Sequence, residues 1–180
     1  MKEQAGTPNE PGCEPFLYMP NVQQSVFGLT RVCLGWIFVW AFLDKLWGLG
    51  FATESSKAWL RGGSPTAGFL QFGTEGPLVN FYQSLAGSGV VDWLFMMGLL
   101  GIGLALMLGI MLRVAAISGV LFMILLYASM MPPENNPLVD EHVIYALLLV
   151  IFALVPAGEW WGLGHWWASL PIVQKISWLK

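Results

Sequence analysis

Long apolar runs broken by short polar clusters dominate the chain, and four of them approach the ~20 residues that a membrane-crossing helix requires. They cover roughly residues 26–47, 90–112, 114–131 and 142–155, the last reaching crossing length only when carried to about residue 160. The pattern predicts an all-α integral membrane protein, a four-helix bundle over residues 25–180, with residues 1–24 as a polar tail. Little more than Arg113 separates the second and third spans, so they form a tight antiparallel hairpin. The third stops at "MMPPENNP", where consecutive prolines remove backbone donors and push the chain out of helix.

Between the first two spans lie about forty residues, a length that in a compact domain signals function or local structure. "SSKAWL" and "GPLVNFYQSLAG" mix aromatic and apolar residues with small polar ones, as short helices lying at a membrane surface do. "RGGSPTAGF" between them reads as turn chemistry.

Composition supports the membrane assignment. Of the residues 56% are hydrophobic and 11% charged, against roughly 25% charge in soluble domains. Ten tryptophans add to it, because Trp collects at membrane interfaces. A net charge of −3 without a basic stripe excludes nucleic acid as the expected partner. Cys13 and Cys33 imply no disulfide framework. Glu3, Glu10 and Glu14 against Lys2 give no sign of a cleaved signal peptide.

Lys2, Arg31, Arg113, Lys175 and Lys180 fall on or near one side, whereas the turn after the third span carries Glu134, Asp140 and Glu141. Positive-inside bias then places both termini in the cytoplasm of a cell-membrane protein. Lys45, Lys57 and Arg61 in the first outer loop pull the other way, offset by Asp44, Glu54, Glu75 and Asp92.

Gly101, Ala105 and Gly109 line up small residues on the second span, where a neighbouring backbone can come close. On the first span Arg31, Gly35, Phe38, Phe42 and Lys45 share one helical face. Arg31 and Lys45 stand about 21 Å apart on it. Each either snorkels to its nearer interface or turns into the bundle toward a partner. Glu141 is the expected partner of Lys45, and Asp44, about 100° around the helix, faces solvent or the outer loop. Asp140 and Glu141 also suit the positive end of a helix dipole, and His142 is either an interfacial histidine or a proton carrier. No haem is expected, because His142 and His165 are separated by a full span. No metal is expected either, and the absence of C-x-x-C argues against thiol-disulfide exchange with a quinone.

Arg31, Gly35 and Lys45 in "RVCLGWIFVWAFLDKL" resemble the first-helix signature of the DoxX family of four-helix membrane proteins. "LGIMLR", with Gly109 and Arg113, is similar to that family's second-helix ending, and Glu141 to its acidic residue opening helix four. "GSPTAGFL" and "LGHWWASLP" resemble the DoxD-like branch, the membrane subunit of thiosulfate:quinone oxidoreductase. Phe42, and Gly164 with His165, depart from the family pattern.

The resemblance implies electron transfer from thiosulfate, with tetrathionate as product, to a quinone in the lipid bilayer, together with a second protein subunit. On that reading Lys45 and Arg61 attract the anionic substrate, Glu141 and His142 move protons, and Trp40, Trp47 and Tyr145 line a quinone slot. Arg31, Asp44 and Arg113 are structural charges. The alternative is a non-catalytic membrane scaffold for a soluble redox or sulfur-transfer partner. An exporter or channel is disfavoured by the few polar residues in the spans.

Overall fold

The computed structural model describes residues 20–133, 136 and 138–179. Most of the tail expected over residues 1–24, with Lys2, lies outside them, as do Glu134 and Lys180. The fold is all-α, and three of its helices are long and apolar enough to cross a membrane.

The first of these, α1, runs Pro20–Trp47 and so begins ahead of its apolar run, inside the stretch expected to be tail. Proline suits that start, since the first helical N–H has no intrahelical partner to lose. Two 3₁₀ turns follow, Ser55–Lys57 and Trp59–Arg61, and then the short helices α2, Ala67–Phe72, and α3, Val79–Ser84. "SSKAWL" and "GPLVNFYQSLAG" therefore do hold helical turns, and α2 begins inside the segment read as a turn.

Next come α4, Gly89–Leu108, and α5, Leu112–Ser129. Their connection is Gly109–Met111 rather than Arg113, which lies in the first turn of α5. Gly109 ends α4 in the left-handed region, φ 73°, and its N–H bonds to the Ala105 carbonyl at 2.9 Å. Glycine takes that conformation without a Cβ penalty.

α6, Glu141–Leu154, is only 14 residues long, about 21 Å, and does not extend to residue 160. Pro156 stops it by holding Val155 extended, at φ −105° and ψ 152°. Two short helices, α7, Gly164–Ser169, and α8, Pro171–Lys175, and a 3₁₀ turn, Ser177–Leu179, follow.

α1 packs on α4, α4 on α5 and α5 on α6. The core between them is built from Leu34, Phe38, Leu99, Ile102, Leu149 and Phe152, among others. At the α1–α4 crossing the backbones meet through Gly35 and Gly103. A Cβ on Gly35 would lie 2.9 Å from the Met107 backbone nitrogen, and one on Gly103 2.9 Å from that of Val39. Gly101, expected at a close contact, instead faces open space with nothing within 4 Å. A helix turns about 100° per residue, so two positions suffice to move a glycine off the packed face.

Candidate functional site

The two charges on the α1 stripe have opposite fates at opposite ends of the bundle. Arg31 is fully buried, and its guanidinium partners are backbone carbonyls rather than a carboxylate. Nη1 donates to Leu106 and Met107 at the end of α4, where carbonyls run short of helical N–H partners and that of Leu106 otherwise accepts, among the described residues, only from the Gly109 N–H at 3.3 Å. Nε donates to Ala157 at 3.1 Å, and Nη2 to Trp160 at 3.0 Å and Trp161 at 3.2 Å. A planar, five-donor group fits such a cluster, and the dipole at a helix C-terminus favours a cation. This side chain ties α1, α4 and the segment after α6 together. Of the two readings open to Arg31, turning inward is the one realised. Arg113, exposed, borders a smaller cleft of about 280 Å³ at the same end, with Gly109, Gly158 and Glu159.

At the other end the long loop roofs a cavity of about 870 Å³, within the range of small-molecule sites. Its walls are mainly apolar: Phe69, Leu70, Phe81, Leu94, Phe95 and Phe122. Lys45, Lys57, Ser64, Thr66, Tyr82 and His142 contribute the polar groups. The roof is tied to the helices at several points. Buried Asp92, in the first turn of α4, accepts from Ser64 Oγ at 2.8 Å and from the Thr66 backbone N–H at 3.2 Å. Tyr82 Oη donates to the Leu125 carbonyl at 2.9 Å, and the Glu75 N–H to that of Ser129 at 2.9 Å.

Asp44 and Lys45, adjacent in sequence, are separated in role by the helical turn. Asp44 is buried and accepts from the backbone N–H groups of Phe51 at 3.3 Å and Ala52 at 3.0 Å, so of solvent and outer loop it takes the loop. Lys45 turns into the cavity, where its Nζ lies 5.9 Å from the centroid of the Phe95 ring. That arrangement places a cation on the electron-rich ring face.

The expected Lys45–Glu141 ion pair does not form. Glu141 is exposed, and the ion pairs among the described residues are Lys57–Glu54, His142–Asp140 and His165–Glu159. Asp140 instead becomes the organising acid. It stands at the N-cap of α6 with extended backbone, and Oδ1 accepts from the N–H groups of His142 at 3.0 Å and Val143 at 3.2 Å. Oδ2 lies 2.7 Å from His142 Nδ1, the two side chains being 13% and 14% exposed. Burial alone would raise the Asp140 carboxyl. The hydrogen bonds from the His142 side chain and the backbone outweigh it and hold the group below its ordinary range. Asp140, Glu141 and His142 also offer ligand atoms within 4.8 Å of one another, but Asp140 already spends both oxygens on these bonds.

Of the sequence-derived site residues, the cavity gathers Lys45 and His142. Arg61 is exposed and does not line it, and Lys57 stands there instead. Trp40 packs against Trp36 and Phe51, with ring centroids 5.7 and 5.1 Å apart, and Trp47 is exposed. Both lie on faces of α1 turned away from Lys45, roughly 140° and 200° around the helix. Tyr145 packs against the apolar core. Phe69, Phe81, Phe95 and Phe122 supply the aromatic lining that these three were expected to give. One signal for Asp140 was present in the sequence: an Asp shortly before an apolar run, followed by an acidic first-turn residue, reads as an N-cap.

No protein-family model, curated protein or solved structure matches the chain.

Proposed function

We propose that the chain is the membrane subunit of a quinone-linked oxidoreductase, with the roofed cavity as its quinone site. The observation that carries this reading is the joint presence of Lys45 and His142 in a mainly apolar cavity of about 870 Å³. A quinone needs such walls for its ring and tail, and its oxygens need a cation and a proton-transfer group as they are reduced. The donor follows from the resemblance of "GSPTAGFL" and "LGHWWASLP" to the DoxD-like branch: two thiosulfate ions lose one electron each and join through a new S–S bond as tetrathionate. The quinone takes those two electrons and two protons to become the quinol. Lys45 attracts anionic or developing negative charge, and His142 relays protons. In this reading α6 and the residues after it complete a fourth crossing, the loop faces outward, both termini are cytoplasmic, and a second subunit completes the enzyme. Glu141, being exposed, serves proton exchange only at the surface.

The test is thiosulfate-dependent reduction of a soluble quinone analogue by membranes with and without this chain, repeated with Lys45→Met and His142→Gln. Loss of the chain should abolish reduction, and His142→Gln should slow it by on the order of 10²-fold. Equal rates in all samples would end the proposal.

A scaffold for a soluble partner is the second reading, favoured by the large apolar side chains that the loop exposes, Phe51, Leu60 and Phe72. Co-purification of a soluble protein that is lost when these become Ser, with quinone content unchanged, would support it over the first.

A further inference from the structure

We propose that Asp140 is a positioning residue that fixes His142 with its proton on Nδ1, so that Nε2 is the atom offered to the cavity for proton exchange. The inference deepens the quinone reading and rests on it for its consequence in turnover, but the tautomer itself is independent of any substrate. The geometry carries it. Asp140 Oδ2 lies 2.7 Å from His142 Nδ1, while Oδ1 is held by the two backbone N–H groups of His142 and Val143. With one oxygen pinned, the carboxylate cannot rotate away. An ionised carboxylate only accepts, so the ring nitrogen facing it must donate. The neutral side chain of free histidine favours the opposite tautomer, with the proton on Nε2. Asp140 thus reverses the intrinsic preference, and does so from the cap of α6, where helix formation itself sets the acid two residues before the histidine.

Lys45 of α1, Lys57 of the loop and Tyr82 of α3 line the same cavity as His142, and exposed Glu141 precedes it on α6. None of them forms a hydrogen bond or ion pair with the His142 ring in the structure, so the orientation of the ring falls to Asp140.

Asparagine separates this role from capping. Asp140→Asn keeps an oxygen for the two backbone N–H groups, and Asn caps helices about as well as Asp. Its amide, however, donates toward Nδ1, which must then accept and leave the proton on Nε2. The chain has two histidines, so His165→Gln leaves His142 as the single imidazole. In that background the full-length, ¹⁵N-histidine-labelled protein in detergent gives an unambiguous nitrogen spectrum at alkaline pH, where imidazole is neutral. The expected result is a protonated Nδ1 in the parent and a protonated Nε2 after Asp140→Asn, with melting temperature nearly unchanged. Turnover with thiosulfate and the quinone analogue should fall within about tenfold of His142→Gln. A parent spectrum with Nε2 protonated, or no change on Asp140→Asn, overturns the inference. A tautomer switch in a protein that never reduces quinone leaves it standing and removes the proposed function instead.

Discussion

The ammonium of Lys45 lies 5.9 Å from the centre of the Phe95 ring and forms no ion pair with Glu141, which is exposed. Lys45→Ala and Glu141→Ala should therefore have additive effects on unfolding, within about 0.5 kcal/mol. Lys45→Ala alone should cost about 0.5–1 kcal/mol, the usual worth of a cation over an aromatic face. A coupling above 1 kcal/mol in the double-mutant cycle would mean that the two side chains meet after all.

Gly35 and Gly101 are both helical glycines on apolar segments, yet they should respond oppositely to alanine. A new methyl at position 35 would lie 2.9 Å from both the Leu106 Cβ and the Met107 nitrogen, so α1 and α4 must separate. We expect Gly35→Ala to destabilise by about 1–3 kcal/mol. Gly101 has nothing within 4 Å, and Gly101→Ala should be neutral or stabilising by up to ~1 kcal/mol. Thermal unfolding in one detergent measures both.

Asp140 gives a pH dependence with a definite sign. Its folded-state carboxyl is held below the ordinary value of 3.8, so its contribution is present above that value and is lost as pH falls through the lower, folded one. Asp140→Ala should then be less stable than the parent by roughly 1 kcal/mol across neutral pH, the usual worth of an N-cap. That difference should shrink only below about pH 4. A gap that closes between pH 6 and 8 would point to another titrating group.

Arg31→Lys should fail where a surface Arg→Lys change would pass. An ammonium has three donors and no planar fork, and it cannot reach the carbonyls of Leu106, Met107, Ala157, Trp160 and Trp161 together. Each buried carbonyl left without a partner costs about 1–3 kcal/mol, so a loss of at least ~2 kcal/mol is expected. Tm and the protease resistance of residues 156–164 report it.

The long helices were legible because burial in lipid demands unbroken apolar runs, and those runs coincide with α1, α4 and α5. Their ends were less so. The start of α1 at Pro20 and the left-handed Gly109 stop depend on single-residue backbone conformation rather than on hydropathy. The site divides along the same line. Lys45 and His142 could be placed at one end of the bundle by counting turns, and the cavity contains both. The choice of Asp140 over Glu141 could not be made that way. One position separates a capping residue with extended backbone, turned back on the helix, from the exposed residue that follows it. The partners of Arg31 after α6 lie 126 to 130 residues along the chain, beyond the reach of any local pattern.

That separation has a consequence for synthesis. The ribosome delivers the Arg31 segment long before Ala157 exists, so the young first helix enters the bilayer with a guanidinium that has no carbonyls to receive it. The Leu106 and Met107 carbonyls of α4 come first, and those of Ala157, Trp160 and Trp161 only with the last part of the chain. The Arg31 cluster is thus among the last contacts the growing chain can complete, and a nascent chain cut short before Ala157 would hold that guanidinium through α4 alone.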